Sequence, residues 1–211
     1  GGNVPTITVR LRPELRSQAQ TLLEEIESAD GTAPLSENKM MRLEGRLDAR
    51  EHVALGPHGE VLGYGQAAWH RGEEGEAGHW ALEVAVAPAW RDTAVTPDLI
   101  EDLRRDGGAT PTVLWARAPY VATAALASGW RVQRPLWEMR RSLPVPALKY
   151  QESDIVLAPF RMGSDEDAWL EANNATFAGH PENGRMTRRD LESRMAQQWF
   201  DPAGFFVAWH G

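Results

Sequence analysis

The sequence LEVAVAPAWRDTAVTP at residues 82–97 joins a predicted strand to a predicted helix through a short loop. Apolar and β-branched side chains dominate its first positions, and Pro88 ends the strand because proline cannot donate to a sheet ladder. Thr96 offers a capping hydroxyl and Pro97 suits the first helical position, so we expect a helix to begin there. Unpaired N–H groups and the helix dipole converge at such a junction, which predicts an anion site within an α/β domain.

The periodicity of apolar side chains extends this domain in both directions. Before the loop we expect a β-α-α-β-β order: the strand Ile7–Leu11, the helix Glu14–Ser28, a second helix that Ser36 caps, and the hairpin strands His52–Leu55 and Val61–Trp69. Around and after it we expect the strand Trp80–Val86, the helix from about Pro97, the strand Val113–Ala116, the helix Val121–Ser128 and the strand Leu136–Leu143.

The same order of elements begins again after Pro144-Val145-Pro146, roughly 150 residues behind the first copy. The recurring elements are Ile155–Leu157, Asp165–Thr176, Arg188–Ala196 and Phe205–Trp209. This repeat predicts a complete first domain at residues 1–145 and the start of a second at 146–211. We expect the second copy to stop before its counterpart of Leu82–Val86.

Composition excludes several classes of function. The chain has 30 acidic and 22 basic residues and a formal net charge of −8, without a basic cluster, so nucleic acid is not an expected partner. It has no cysteine, and its histidines lack metal-ligand spacing, so neither a thiolate site nor a metal is expected. Because no apolar run approaches the roughly 20 residues that span a bilayer, we expect a soluble, cytoplasmic protein without a membrane partner.

The loop after the strand resembles the pyrophosphate loop of the GCN5-related N-acetyltransferases (GNAT). In that family a proline follows the strand, a basic residue comes three positions later, and two glycines let the backbone approach coenzyme A. Pro88 and Arg91 match this pattern, whereas Ala94 and Thr96 stand where the glycines belong and Asp92 adds a repulsive charge.

The resemblance implies a GNAT fold, a mixed sheet with flanking helices, and acetyl-CoA as co-substrate. The residues that it implies as coenzyme contacts in the first copy are Val84, Ala85, Val86, Arg91, Asp92, Thr93, Ala94, Val95, Thr96 and Pro97. Since Cβ atoms replace both glycine hydrogens, a structural loop that has lost its ligand is an equal alternative.

The family often takes a carboxylate base from the strand that contains Glu83, which makes this residue a weak candidate for the base. A half-buried carboxylate with a structural partner is the favoured alternative. The segment 122–130 has no tyrosine to protonate the leaving thiolate, unless the flanking Tyr120 serves. The first copy is therefore expected to be a non-catalytic partner domain.

A second resemblance rests on two long strings, ANNATFAGHPENG at residues 172–184 and WFDPAGF at residues 199–205. Both are similar to the second domain of the mycothiol synthase family, tandem GNAT enzymes of actinobacteria. That family acetylates the cysteinyl amine of desacetylmycothiol, completing mycothiol. The agreement also covers DGTAP at residues 30–34 and MRRSLP at residues 139–144.

This resemblance implies that Glu37 and Glu182, each of which follows the first helix of its copy, contact the polar substrate. A carboxylate can accept hydrogen bonds from sugar hydroxyls and attract an ammonium group, although helix capping or a solvated charge would also explain either residue. The catalytic groups would lie beyond Gly211, so we expect no acetyl transfer from these 211 residues alone and a monomeric full-length enzyme. The alternatives are a non-catalytic acyl-CoA or substrate-binding module and a related tandem enzyme with another amine substrate.

Overall fold

The computed structural model describes residues 6–45, 48–71, 77–146, 154–180 and 185–210. The chain divides into two compact units, Gly1–Arg131 and Val132–Gly211, which we call unit 1 and unit 2. The sequence-based division after residue 145 stays a prediction.

Unit 1 contains a five-stranded sheet in the order β1-β2-β3-β4-β5. The first four strands pair antiparallel and β5 pairs with β4 in parallel, so the predicted mixed sheet with flanking helices is confirmed. The strands are β1 (Ile7–Arg10), β2 (Arg50–Leu55), β3 (Val61–His70), β4 (His79–Val86) and β5 (Thr112–Leu114). The helices are α1 (Arg16–Asp30), α2 (Glu37–Leu43), α3 (Val95–Asp106) and α4 (Pro119–Ala127), with 3-10 turns at Pro13–Leu15 and Pro88–Trp90.

Apolar side chains cover both faces of this sheet. One cluster joins α1 and α2 to the sheet through residues such as Leu23, Leu43 and Tyr64. The other joins α3 and α4 to the opposite face through residues such as Leu82 and Leu99. Successive side chains of a strand point to opposite faces, so β4 serves both layers and is buried along most of its length.

Two local expectations are wrong, the capping of α3 by Thr96 in unit 1 and the strand at residues 136–143, which fall in unit 2. Helix α3 begins at Val95, two residues before Pro97, with Ala94 as the N-cap residue; Thr96 is buried and caps nothing. Residues 136–143 form neither strand nor helix, and Trp137 and Met139 are 86% and 91% exposed. An apolar pattern alone cannot establish a strand, because the backbone groups also need a neighbouring strand to pair with.

Unit 2 repeats the β-α-α-β order of unit 1. It contains β6 (Ile155–Pro159), α5 (Glu166–Thr176), α6 (Arg188–Met195), a 3-10 turn at Pro202–Gly204, and β7 (Phe206–His210). Strand β6 pairs antiparallel with β7, as β1 does with β2. A capping box between Thr187 and Asp190 begins α6.

Aromatic side chains hold unit 2 together. The ring of Phe205 lies 4.9 Å from Phe160, 5.5 Å from Trp169 and 5.8 Å from Phe200 between centroids. Such pairs stabilise a small core by more than the area they bury.

The residues that the structure describes contain no helix of the length and apolar character needed to cross a bilayer. Within the same residues, no group of three or more histidine, aspartate or glutamate side chains is placed to hold a metal ion.

Replacement of Leu99 by alanine tests the α3 packing. Leu99 is fully buried against the sheet, so we expect Leu99→Ala to lower the free energy of unfolding by about 2–5 kcal/mol. Leu126→Ala in α4 is the control, because Leu126 is 53% exposed and should change stability by less than about 0.5 kcal/mol. Urea denaturation followed by circular dichroism measures both, and equal effects would contradict this packing.

Candidate functional site

The candidate site lies where β4 and β5 cease to pair. The two strands are in register only from Trp80 to Leu82, and the last backbone bond runs from Trp115 N–H to the Leu82 carbonyl at 2.9 Å. Ala87 N–H donates to the carbonyl of Leu62 of β3 at 2.9 Å. Backbone groups alternate in direction along a strand, so the odd-numbered residues of β4 bond β3 and the even-numbered residues direct their N–H and carbonyl groups toward β5. The backbone groups of Val86 therefore face the opening between the strands.

Both backbone groups of Val86 are bonded by side chains. Its N–H donates to the hydroxyl oxygen of Tyr120 at 2.9 Å. Its carbonyl accepts from Nε of Arg91 at 3.1 Å. Tyr120 stands at the start of α4, and burial raises the pKa of its hydroxyl.

Arg91, the basic residue of the predicted loop, is directed toward the end of α1. Its guanidinium donates two hydrogen bonds to the carboxylate of Asp30, at 3.0 and 2.7 Å, and these bonds raise the pKa of Arg91. The same guanidinium lies 4.5 Å from the centroid of the Tyr120 ring. One arginine thus bonds a strand carbonyl, a carboxylate and an aromatic face.

The rest of the loop turns without the conformations that glycine would allow. Among the described residues, only glycines have positive φ, and Ala94 takes an ordinary helical conformation at φ −67°. Thr93 donates its hydroxyl to the Trp90 carbonyl at 2.6 Å and accepts from Val95 N–H at 3.3 Å. Thr96, at the second glycine position, is fully buried and its hydroxyl has no hydrogen-bond partner in the described structure.

Glu83, the weak candidate for the base, binds the start of α2. Its two carboxylate oxygens accept hydrogen bonds from the backbone N–H of Ser36 at 2.7 Å and from the Ser36 hydroxyl at 2.6 Å. Only 5% of Glu83 is exposed. These contacts favour the structural alternative, and they also explain why the Ser36 hydroxyl does not cap α2.

Lys39 completes the polar surroundings of Glu83, and sequence reasoning missed it. It lies on α2 with 4% exposure, and burial lowers its pKa to about 8, although attraction to Glu83 opposes the shift. The signal was its spacing, because Lys39 stands four residues before Leu43 on α2 and four residues after Leu35, and both leucines are buried.

Of the two predicted substrate contacts, only Glu37 is among the described residues. Glu37 is the exposed first residue of α2, next to the Ser36 that bonds Glu83. Glu182 lies outside the described residues. The last described residue before it, His180, lies edge-to-face against Phe177 with ring centroids 5.9 Å apart.

The chain is similar to bacterial proteins named mycothiol acetyltransferase. It is 39% identical over 210 residues to that of Geodermatophilus obscurus, a match that covers 96% of this chain and 67% of the relative. It is 40% identical over 208 residues to that of Catenulispora acidiphila, covering 91% and 65%. The chain therefore spans about two thirds of the length of these curated relatives. No family model matches it.

Solved acetyltransferase structures share the fold. A GCN5-related N-acetyltransferase from Sphaerobacter thermophilus superposes with a TM-score of 0.60 and 19% identity, over 98% of this chain and 69% of that one. An aminoglycoside acetyltransferase from an uncultured soil metagenomic sample gives a TM-score of 0.50 and 14% identity, over 66% and 97%. At these identities the superpositions show the architecture alone.

The buried Lys39 predicts an unusual pH dependence of stability. The pKa of Lys39 falls from its ordinary 10.5 to about 8 in the folded state, so between these values the unfolded chain binds more protons. The free energy of unfolding should therefore rise with pH across this window, relative to a Lys39→Met variant that cannot titrate there. Guanidinium denaturation of both proteins from pH 7 to pH 10.5 measures the difference, and parallel pH profiles would contradict a shifted Lys39.

Proposed function

Because this chain belongs to the mycothiol acetyltransferase family, we propose that the whole protein transfers the acetyl group of acetyl-CoA to the cysteinyl amine of desacetylmycothiol. The observation that carries this proposal is the extent of the sequence agreement, which runs through both units instead of being confined to one motif. The GNAT architecture of unit 1 supports the same reaction class.

The proposed chemistry is direct attack of the amine on the thioester. A free amine that is held close to the acetyl carbon is already a competent nucleophile, so no covalent enzyme intermediate is needed. The protein must bind both substrates, remove a proton from the amine and exclude water.

We assign unit 1 a non-catalytic part in this reaction. The carboxylate of Glu83 is bonded twice by Ser36, and Arg91 is bonded to Asp30. Neither side chain is available to a substrate without breaking these contacts. The coenzyme contacts expected at residues 84–86 and 91–97 remain a prediction, because the Arg91 side chain and the backbone groups of Val86 are bonded within unit 1.

Unit 2 is proposed to contribute a wall of the substrate site. Its α5 and α6 flank the sequence that includes Glu182. The side chain of Asn174 on α5 bonds the backbone of Met186, which lies just before α6. Its amide nitrogen donates to the Met186 carbonyl at 3.0 Å, and its amide oxygen accepts from the Met186 N–H at 2.8 Å. We propose that Glu182 and Glu37 accept hydrogen bonds from the polar substrate.

The second candidate is a binding module that holds acyl-CoA or the acceptor without performing transfer. The Glu83 carboxylate, bonded twice by Ser36, favours the absence of catalysis in unit 1 by itself. Release of coenzyme A thiol from acetyl-CoA, dependent on desacetylmycothiol, separates the candidates, because a binding module gives none. Turnover with other amines but not with desacetylmycothiol would instead indicate a related tandem enzyme.

A charge-removing substitution tests the substrate contact. In the whole protein, Glu182→Gln should lower kcat/KM for desacetylmycothiol by about tenfold to a hundredfold, the value of one hydrogen bond to a charged group. The KM for acetyl-CoA should stay unchanged. Glu171→Gln, on the exposed face of α5, is the matched control. Equal activity of Glu182→Gln and wild type would remove Glu182 from the substrate site.

A further inference from the structure

The opening between β4 and β5 contains side chains of unit 1 itself. A strand that loses its neighbour leaves backbone N–H groups that need an acceptor, since an unpaired buried group costs about 1–3 kcal/mol. At Val86 the acceptor is the hydroxyl of Tyr120, which reaches the strand from the first turn of α4. Any ligand that bonded Val86 N–H would first have to displace this hydroxyl.

The positive charge of Arg91 in the loop is also neutralised by a carboxylate of unit 1. The Arg91–Asp30 pair is bidentate, with a shortest distance of 2.7 Å, and the side chains of its partners are only 19% and 25% exposed. A planar guanidinium held by two parallel bonds is well ordered, and limited exposure reduces screening by salt. A diphosphate would have to compete with the Asp30 carboxylate for the same guanidinium face.

Tyr120 links these two contacts. Its ring lies against the Arg91 guanidinium while its hydroxyl bonds Val86, and Arg91 in turn donates to the Val86 carbonyl. Asp30, Arg91, Tyr120 and Val86 thus form a closed set of contacts across the end of β4, which we call the β4 lock. It joins the end of α1 to the start of α4 through the loop.

We propose that the β4 lock replaces a bound coenzyme in unit 1. The Tyr120 hydroxyl stands in for a ligand acceptor at Val86, and the Asp30 carboxylate stands in for the ligand diphosphate at Arg91. Unit 1 is accordingly closed to acetyl-CoA, and removal of the lock frees the Val86 N–H for a ligand acceptor and the Arg91 guanidinium for a coenzyme diphosphate. The inference uses the proposed function only to choose the ligand.

The lock fixes the position of Tyr120, the flanking tyrosine that the sequence left open as a proton donor. A phenol that protonates a leaving thiolate needs a hydroxyl proton directed at that sulfur. The hydroxyl oxygen of Tyr120 is engaged by Val86 N–H, and Arg91 covers its ring. Accepting this bond leaves the phenol its own proton, so the lock sets where the hydroxyl lies and the proton-donor role stays a prediction.

Calorimetric titration of the 211-residue protein with coenzyme A tests this proposal. The wild type should show no saturable binding below about 1 mM. An Asp30→Asn, Tyr120→Ala double variant should bind at least about tenfold more tightly, because both internal competitors are gone. Adding Arg91→Ala to the double variant should abolish that gain, which locates the binding at this loop.

Two results would overturn the β4 lock: micromolar binding by the wild type, or no gain of affinity in a folded double variant. If the double variant does not fold by circular dichroism, Asp30→Asn alone is titrated with inorganic pyrophosphate and should bind more tightly than the wild type, whereas unchanged binding would count against the lock. The matched control is Glu27→Gln, which removes an exposed carboxylate of α1 outside the lock and should leave binding unchanged. Acetyl transfer by the whole protein is measured separately, so failure of the lock and failure of the proposed function remain distinguishable.

Discussion

The pairing of β5 with β4 ends at Leu82, and the arrangement of the candidate site follows from that ending. Before this point the parallel ladder satisfies the backbone of β4. Beyond it, alternate N–H and carbonyl groups face an opening, and each must find a partner because buried polar groups are rarely left unpaired. In a ligand-binding domain the ligand can supply those partners. Here Tyr120 and Arg91 supply them at Val86.

Polar side chains on the other face of β4 also find their hydrogen-bond partners within unit 1. Glu83 points away from α3 and accepts two hydrogen bonds from Ser36 at the start of α2. Lys39 lies nearby with a lowered pKa, because burial destabilises its charge more than Glu83 restores it. A carboxylate on this strand therefore connects sheet and helix, and its chemistry cannot be inferred from its place in the strand alone.

The sequence predicted the parts of unit 1 that depend on local pattern. Strands β1 to β4 and helices α1 and α4 lie within a few residues of their expected positions, because apolar periodicity and glycine or proline boundaries act locally. The start of α3 was misplaced because Thr96 matches a cap in type, yet packing against the sheet buries it. The strand expected at residues 136–143 failed for a related reason, since pairing is a property of two segments and not of one.

The candidate site was less predictable because its contacts join distant parts of the chain. Asp30 and Arg91 are 61 residues apart, Val86 and Tyr120 are 34 apart, and Ser36 and Glu83 are 47 apart. No local pattern marks these pairs. The sequence did show that Ala94 and Thr96 stand where the resembled loop has glycines. Without a diphosphate, the loop leaves an arginine beside an open strand end, and an uncompensated charge there would be costly. Asp30 and Tyr120 remove that cost, so the internal contacts satisfy the strand end and the charge that a ligand would otherwise satisfy.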